Sequence, residues 1–301
     1  MSTMVMTGGT SGFGALAAAR LRESGDVRVI LGARGRGGAD ALGLDLAELE
    51  SVRAFASAVG EELAGSAVDA LVLNAGLVLA DAGHRTVDGF ETTFAVNHLA
   101  HYLLARLLLP SLAEGATVVL TTSGTHDPAT GAGLTPPRHA DAALLAHPER
   151  DPGLDGRPRK AGEQAYTASK LCTVLTARAL AGQDAVRDKG ITVIAYCPGQ
   201  VFGTGLAKDL PWYMRMAWSV MGSPVVSWPA RRFDRTLNTR PDAGKALADL
   251  ASGVARPPAG RGYAALRGGE LTWPDPSDAA LREDSAQELW TANAALVGLP
   301  G

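Results

Sequence analysis

Short apolar runs alternate with longer helical patterns along this 301-residue chain, and this alternation limits the folds open to it more than any other feature. The runs predicted to form β-strands cover residues 4–6, 27–31, 42–44, 70–73, 117–121, 191–196 and 262–266. A run that is apolar at every position, as residues 70–73 are, is typical of a strand covered on both faces of its sheet.

Helical patterns cover residues 12–23, 47–63, 87–112, 164–186 and 276–296. Helices that follow strands in this order give right-handed crossovers, which place helices on both faces of a parallel sheet. The sequence therefore predicts an α/β fold, a doubly wound Rossmann-like domain with a seven-stranded parallel sheet.

Composition limits the class of protein. Hydrophobic residues make up 46% of the chain, and no repeat or second core is visible, so we expect one domain over residues 1–301. A net charge of −3 gives no electrostatic reason to bind nucleic acid. Cys172 and Cys197 are too few for a disulfide framework and lack metal-ligand spacing, so we expect reduced thiols and no metal. With no signal peptide and no clean apolar run of about 20 residues, we expect a cytoplasmic protein without a membrane span.

Two segments break the alternation of strands and helices. Residues 126–162 are rich in Pro, Gly and charge, and residues 200–240 are rich in Trp, Met and Pro. Both follow strands at the predicted carboxyl edge of the sheet, where ligands bind in such folds. The first segment is an insertion expected either to cover the substrate or to form a surface or homo-oligomer contact. The second is expected to be a flap over a bulky apolar substrate, unless it packs as ordinary core.

A glycine-rich turn, Thr7-Gly-Gly-Thr-Ser-Gly-Phe-Gly14, lies between the first predicted strand and the first predicted helix. Glycine lets backbone amides approach phosphate, and a helix N-terminus adds partial positive charge. The turn therefore predicts a dinucleotide site, although an ordinary glycine-rich turn stays open because the spacing differs from Gly-x-Gly-x-x-Gly. The residues expected at the cofactor are Gly8, Thr10, Ser11, Gly12, Phe13 and Gly14.

The residues at the end of the second predicted strand indicate which cofactor the protein binds. An NAD enzyme usually has an acidic residue there, but this chain has Ala33 followed by Arg34. A guanidinium can bind a 2′-phosphate through two hydrogen bonds, so the sequence favours NADP(H) over NAD(H), unless Arg34 is a solvated strand end. Further cofactor contacts are expected at Asp45, Leu46, Asn74, Ala75 and Gly76, which also have structural interpretations.

Tyr166 and Lys170 lie four positions apart within the predicted helix 164–186. Residues at this spacing share one face of a helix, so a phenol and an ammonium could exchange a proton with the same substrate oxygen. Together with a nucleotide site, the pair predicts hydride chemistry on a carbonyl or an alcohol.

Further motifs complete the pattern: Asn97 inside an apolar helix, Ser123-Gly at the end of the fifth strand, and Cys197-Pro-Gly199 at the end of the sixth. With Thr-Gly-x-x-x-Gly-x-Gly, Asn-Ala-Gly and Tyr-x-x-x-Lys they occur in an order that resembles the short-chain dehydrogenase/reductase family over nearly the whole chain. Residues 94–102 and 276–299 are similar to its retinol dehydrogenase and protochlorophyllide reductase branch.

The resemblance implies a catalytic set of Asn97, Ser123, Tyr166 and Lys170. Tyr166 is expected to be the acid in reduction and the base in oxidation, its pKa lowered by Lys170 and by the nicotinamide charge. Ser123 is expected to hydrogen-bond the substrate oxygen, and Asn97 to hold a water that links Lys170 to solvent. The nicotinamide half of the cofactor is expected to lie against Tyr166, Lys170, Pro198, Gly199, Val201 and Thr204.

Several assignments keep alternatives. Thr121 and Thr122 compete with Ser123, because an error of one position changes the face of a strand. The histidines His98 and His101 are expected to make packing or polar contacts, whereas His126 is expected either to touch substrate or to be structural.

The sequence therefore predicts an NADP(H)-dependent ketoreductase, or the reverse alcohol dehydrogenase, acting on a bulky hydrophobic ketone or secondary alcohol. A weaker resemblance to bacterial reductases of aromatic polyketides suggests secondary metabolism. The alternatives are a catalytically silent NADP(H)-sensing protein and a reductase of a carbon–carbon double bond. The complete set of catalytic side chains argues against the first alternative.

Overall fold

The computed structural model describes residues 1–35, 41–202, 234 and 236–301. Its strands are β1 (Ser2–Thr7), β2 (Val27–Ala33), β3 (Ala41–Gly43), β4 (Val68–Leu73), β5 (Leu112–Thr121), β6 (Thr192–Cys197), β7 (Gln200–Val201), β8 (Leu237–Asn238), β9 (Tyr263–Arg267) and β10 (Glu270–Thr272). The main sheet has the order β10-β9-β6-β5-β4-β1-β2-β3, and β7 pairs with β8 in a small separate sheet.

The seven predicted parallel strands are confirmed, but the predicted number of strands in the sheet is wrong by one. All neighbours from β9 to β3 pair in parallel, and β10 adds an eighth strand antiparallel to β9. Gly268 and Gly269 join these two strands, and both have positive φ, as a two-residue hairpin turn requires. The Gly-Gly pair is a sequence signal for this hairpin that the strand pattern alone did not reveal.

The helices are α1 (Gly12–Glu23), α2 (Leu49–Leu63), α3 (residues 92–108), α4 (Ala142–Ala146), α5 (Pro158–Ala181), α6 (Asp184–Asp188), α7 (Arg240–Ala251), α8 (Asp278–Leu281) and α9 (Glu283–Leu296). Short 3₁₀ turns cover Leu109–Ser111, Gly124–His126, Pro128–Thr130 and Pro148–Arg150. Within α3, the residues Ala95–Leu99 form a π-helical turn.

Helix bounds differ from the predicted ones where side chains cap the backbone. The helix predicted from residue 87 begins at Thr92, because the Glu91 carboxylate accepts hydrogen bonds from the N–H groups of Thr93 and Phe94. The final predicted helix is divided at Arg282, whose backbone is extended. Helix α7 was not predicted.

Both faces of the sheet are covered, as the apolar strands predicted. Along β4, Leu71 and Leu73 pack into a core shared with α2, α3, α5 and α9, whereas Ala70 and Val72 face a core shared with α1 and α7. Helix α5, which carries Tyr166 and Lys170, therefore lies on the same face of the sheet as α3 and α9.

The predicted insertion, residues 126–162, packs against the start of α5. The backbone N–H and the hydroxyl of Thr135 both donate to Glu163 Oε2, at 3.1 and 2.7 Å, and Thr167 Oγ1 donates to the Thr135 carbonyl oxygen. Ala146 of α4 is fully buried. The insertion therefore supports the helix turn that precedes Tyr166, while its proposed role over the substrate or in an oligomer stays a prediction. Most of the predicted flap, residues 200–240, lies outside the described residues.

Candidate active site

Helix α5 brings Tyr166 and Lys170 to the carboxyl edge of the sheet. Pro158 stands in its first turn, where the missing N–H removes no helical hydrogen bond, and Ala165–Lys170 are buried. Lys170 Nζ lies 5.8 Å from the centroid of the Tyr166 ring and donates a 3.0 Å hydrogen bond to the Thr121 carbonyl oxygen. The two side chains thus share the face of α5 that meets the end of β5.

Three hydroxyl groups follow one another at the end of β5, and Ser123 is the one beside Tyr166. Thr121 Oγ1 donates to Asn74 Oδ1 at 3.0 Å, and Thr122 Oγ1 donates to the Lys170 carbonyl oxygen at 2.7 Å. The Ser123 hydroxyl accepts from the Thr125 N–H, and it lies close enough to the Tyr166 hydroxyl to lower the pKa of the phenol. This geometry favours Ser123 over its two neighbours as the hydroxyl that a substrate oxygen would meet.

The ionisation of Tyr166 differs from the sequence-based expectation. Burial raises the pKa of Tyr166 to about 12, and the neighbouring Ser123 hydroxyl offsets only part of this rise. Burial also lowers the pKa of Lys170 to about 8, and its ammonium points at the Thr121 carbonyl oxygen. The protein groups alone therefore hold Tyr166 in its protonated form, which suits a proton donor.

Asn97 lies in the π-helical turn of α3 and fixes the chain that follows β4. Its Oδ1 accepts from the Leu77 N–H at 2.8 Å, and its Nδ2 donates to the Leu77 carbonyl oxygen and to Ser169 Oγ. A Cβ added at Gly76 would lie 3.2 Å from Asn97 Oδ1 and 3.6 Å from Lys170 Nζ. The Asn97 side chain thus connects α3 to the segment after β4 and to α5, next to Lys170. The expected water relay stays a proposal.

His101 connects the same helix to the first strand. Its Nδ1 donates to the Asn97 carbonyl oxygen at 3.2 Å, and its Nε2 accepts from Thr7 Oγ1 at 2.9 Å. Thr7 Oγ1 in turn accepts from the backbone N–H groups of Asn74 and Ala75. These bonds fix one neutral tautomer of His101 and hold the glycine-rich turn close to α3.

The glycine-rich turn has a backbone shape suited to a dinucleotide. Gly8 and Gly12 have φ of 66° and 60°, and Ser11 caps α1 without a side-chain hydrogen bond, so its hydroxyl does not occupy the N–H groups of the first helical turn. A Cβ on Gly14 would lie 2.1 Å from the Gly8 carbonyl oxygen. The turn can therefore present helix N–H groups to a pyrophosphate, and Gly14 is needed for close packing.

The other predicted cofactor residues lie along the same edge of the sheet. Arg34 is exposed directly after β2, and Asp45 Oδ1 accepts from the Ala47 N–H. Leu46 is buried, and the Asn74 amide donates to the Gly8 carbonyl oxygen at 3.2 Å. The remaining predicted residues are placed there too, with Ala75 and Gly76 after β4 and Pro198, Gly199 and Val201 after β6. Thr10 and Phe13 belong to the turn itself, whereas Thr204 lies outside the described residues.

Comparison with known proteins agrees with this geometry. The family model for short chain dehydrogenase matches residues 2–132. Protochlorophyllide reductase of Avena sativa is 34% identical over 232 residues, which cover 68% of this chain and 73% of that protein. The chain belongs to the short-chain dehydrogenase/reductase family.

Two further proteins are similar to this short-chain dehydrogenase/reductase. Dehydrogenase/reductase SDR family member 13 of Bos taurus is 33% identical over 246 residues, which cover 74% of this chain and 59% of that protein. The crystal structure of an uncharacterised protein from Mycobacterium paratuberculosis superposes with a TM-score of 0.70, at 25% identity, covering 100% of this chain and 94% of that one. These comparisons confirm the predicted family, its branch and its Rossmann-like fold. The family is one of oxidoreductases.

Sequence reasoning named His126 with two alternatives and missed Arg267 at the site of this short-chain dehydrogenase/reductase. His126 is buried rather than open to substrate, and its Nδ1 donates to the Ser123 carbonyl oxygen at 2.7 Å. Arg267 ends β9 and approaches Cys197 Sγ, with Nη1 at 3.9 Å. The signal for Arg267 was its position, since it directly follows the predicted strand 262–266 at the edge where ligands bind.

Within the described ranges, no helix is long and apolar enough to cross a membrane. No cluster of three or more His, Cys, Asp or Glu side chains that could hold a metal ion occurs in the same part of the chain.

Proposed function

We propose that the protein is an NADP(H)-dependent reductase or dehydrogenase that acts on a bulky hydrophobic ketone or secondary alcohol. The observation that carries this proposal is the pairing of the Ser123 and Tyr166 hydroxyls beside the Lys170 ammonium, at the sheet edge that also holds the glycine-rich turn. A substrate oxygen placed between the two hydroxyls would accept two hydrogen bonds.

In the reducing direction, the Tyr166 hydroxyl donates a proton to the substrate oxygen, and the Ser123 hydroxyl stabilises the negative charge that develops there. Bound NADP(H) would supply the hydride in reduction and accept it in oxidation. Tyr166 starts from the protonated form that donation requires, since burial raises its pKa to about 12. Oxidation needs the reverse proton transfer, in which Tyr166 acts as the base.

Lys170 and Asn97 complete the proposed catalytic set. Burial lowers the pKa of Lys170 to about 8, so its ammonium can release a proton close to neutral pH. The Lys170 Nζ and the Asn97 amide oxygen both face Gly76, which leaves room between them because it has no Cβ. We assign to Lys170 the return of a proton to Tyr166, and to Asn97 the placement of a water on that route.

The cofactor is proposed to be NADP(H) because Arg34, and no acidic residue, follows Ala33 at the end of β2. Arg34→Ala is expected to weaken binding of NADPH by about 10- to 100-fold, since a hydrogen bond to a charged group contributes about 1.5–3 kcal/mol. Binding of NADH, which lacks the 2′-phosphate, should stay unchanged. Equal loss for both nucleotides in a fluorescence titration would remove the argument for NADP(H).

A second candidate reaction is the reduction of a carbon–carbon double bond. The name of the Avena sativa relative, protochlorophyllide reductase, favours it. The Ser123–Tyr166 pair favours carbonyl chemistry instead, because both groups hydrogen-bond an oxygen. Mass spectrometry and NMR of products formed from an α,β-unsaturated ketone would separate the two, giving an allylic alcohol in one case and a saturated ketone in the other.

The central test compares Tyr166→Phe and Ser123→Ala with the unchanged protein on a panel of aromatic ketones and NADPH. Tyr166→Phe is expected to lose turnover by at least about 1000-fold, and Ser123→Ala by about 10- to 100-fold, with NADPH affinity kept in both. Turnover that survives the loss of the Tyr166 hydroxyl would refute its role. Tight NADPH binding without turnover of any ketone by the unchanged protein would instead favour the sensing protein.

The cytoplasmic location, the single-domain organisation and any homo-oligomer stay predictions from sequence. So does the bulky apolar substrate, which depends on Trp212, Trp218 and Trp228, all outside the described residues.

A further inference from the structure

Arg267 lies on the face of the sheet that carries the proposed catalytic groups. Along β9, Tyr263 and Ala265 pack into the core beneath α5, whereas Ala264 and Leu266 pack into the opposite core. Because side chains alternate along a strand, Arg267 points to the side of α5 and Tyr166. It also ends the strand at the carboxyl edge, beside β6 and one strand from β5.

The Arg267 guanidinium reaches the residue that follows Ser123. Its Nη1 lies 3.9 Å from Cys197 Sγ and donates to the Leu266 carbonyl oxygen at 3.1 Å. Its Nη2 lies 3.9 Å from the point where Gly124 would carry a Cβ. Since neighbouring Cα atoms are about 3.8 Å apart, the guanidinium lies within roughly 10 Å of the Ser123 Cα atom.

This positive charge has no acidic partner at ion-pair distance in the part of the chain that the structure describes. Arg178 and Arg261, by contrast, are paired with Glu283 and Asp275. Within the same described residues, both hydrogen bonds of the Arg267 guanidinium come from Nη1. Nη2 and Nε therefore keep donors in the planar arrangement that matches a carboxylate.

We propose that Arg267 binds a carboxylate of the substrate, so that the protein acts on a keto acid or hydroxy acid whose charged group lies a few bonds from the reacting oxygen. This inference rests on the proposed function and adds an anionic end to a substrate otherwise expected to be hydrophobic. The half-buried position of Arg267 favours such a pair, because a charge-assisted hydrogen bond is stronger where water is partly excluded.

The direct test measures binding rather than turnover. 4-Phenylbutanoate and its neutral counterpart 4-phenylbutanamide are titrated into the protein with NADP⁺ by calorimetry. We expect Arg267→Met to weaken binding of the carboxylate by about 10- to 100-fold and to leave binding of the amide unchanged. Arg267→Lys keeps the charge without the planar guanidinium, so its affinity for the carboxylate should lie between those of the unchanged protein and Arg267→Met. Arg261→Met, two residues before the opposite end of β9, serves as the matched control and should bind both compounds like the unchanged protein.

An equal loss of both compounds in Arg267→Met would overturn the proposal, since it would show that Arg267 only supports the fold near Cys197. The same holds if the unchanged protein binds the carboxylate no better than the amide. Melting temperatures show whether Arg267→Met is folded. If it is not, the binding of the two compounds is compared in Arg267→Lys instead. Turnover of 4-oxo-4-phenylbutanoate and its methyl ester tests the proposed function separately. Arg267-dependent binding without reduction of any ketone would remove the proposed function and keep the carboxylate site.

Discussion

The His126 imidazole connects the backbone of Ser123 to the C-terminal part of the chain. Its Nδ1 donates to the Ser123 carbonyl oxygen at 2.7 Å, and its Nε2 accepts from the Ser277 N–H at 3.3 Å. The ring is buried and packs edge-on against Tyr263. Burial lowers the pKa of His126, which keeps the ring neutral with its proton on Nδ1. His126 is therefore a positioning residue that acts on the proposed active site through Ser123.

His126→Phe should lower kcat by about 10-fold, because the loss of one or two buried hydrogen bonds of about 1 kcal/mol each lets Ser123 shift. KM for NADPH should stay unchanged, since β4 lies between β5, which ends beside His126, and β1, which leads into the glycine-rich turn. His126→Asn, whose amide N–H can take the place of Nδ1–H, is expected to restore most of the rate. A purely structural role would instead reduce stability in both variants without separating kcat from KM.

Lys170 is expected to lower the stability of the folded protein. Its pKa falls from 10.5 to about 8 on burial, so the unfolded chain binds more protons between these values and stability rises with pH there. Below pH 8 the cost is constant at about 3 kcal/mol, from roughly 1.4 kcal/mol per pKa unit. Lys170→Met should therefore raise the free energy of unfolding at pH 7 by about 1–3 kcal/mol while abolishing turnover.

Urea unfolding at pH 7 and pH 10 checks this prediction. The advantage of Lys170→Met should shrink at the higher pH, because the folded protein then holds a neutral lysine and no longer buries a charge. A variant that is less stable than the parent at pH 7 would show that the hydrogen bond to Thr121 outweighs the burial of the charge.

His98 should make the protein sensitive to acid. The ring is fully buried, with Nε2 2.8 Å from Asn293 Nδ2, and burial lowers its pKa from 6.5 to about 3. A lowered pKa means that the unfolded chain takes up protons first, so stability is lost as pH falls below about 6.5. The loss is about 1.4 kcal/mol for each pH unit until the folded ring titrates. His98→Gln should reduce this slope between pH 6 and pH 4.

His101 adds a second loss of stability at acid pH, because burial lowers its pKa to about 4. The double variant His98→Gln with His101→Gln should then show a smaller acid slope than either single variant. Chemical unfolding followed by circular dichroism at several pH values gives these slopes. Parallel curves for parent and double variant would contradict the prediction.

The pattern of the sequence was sufficient for the seven parallel strands because each of them has a local signal. Apolar runs such as residues 70–73 need only burial on both faces, and the chain order then fixes the crossovers. Helix α7 escaped detection because it is rich in Ala and carries only Leu247 and Leu250 as large apolar residues. Its face is defined by packing on α1, which no local pattern records.

The candidate site was predictable where spacing along one element decides it, as for Tyr166 and Lys170. Contacts between distant elements were not. His126 and Ser277 are 151 positions apart, and Arg267 meets Cys197 across 70 positions. The high pKa of Tyr166 was also missed, because it depends on how completely the fold removes water around the phenol.

Gly14 and Gly60 provide a matched pair of glycine-to-alanine changes in helices. A Cβ on Gly14 would lie 2.1 Å from the Gly8 carbonyl oxygen, whereas a Cβ on Gly60 in α2 would meet nothing within 4 Å. Gly14→Ala should therefore cost about 1–3 kcal/mol or more of stability, as overpacking does. Gly60→Ala should add about 0.5–1 kcal/mol, because alanine restricts the unfolded chain.

Nucleotide binding distinguishes the local effect of Gly14→Ala from a general one. The forced movement of Gly8 displaces the turn that is proposed to hold the pyrophosphate, so affinity for NADPH should fall at least about 10-fold, since a shift of 1.4 kcal/mol is enough. Gly60→Ala should bind NADPH like the parent, because α2 contributes none of the proposed cofactor residues. If Gly14→Ala keeps both its melting temperature and its affinity for NADPH, the turn tolerates a rearrangement, and close packing of Gly14 on Gly8 is not what the nucleotide site requires.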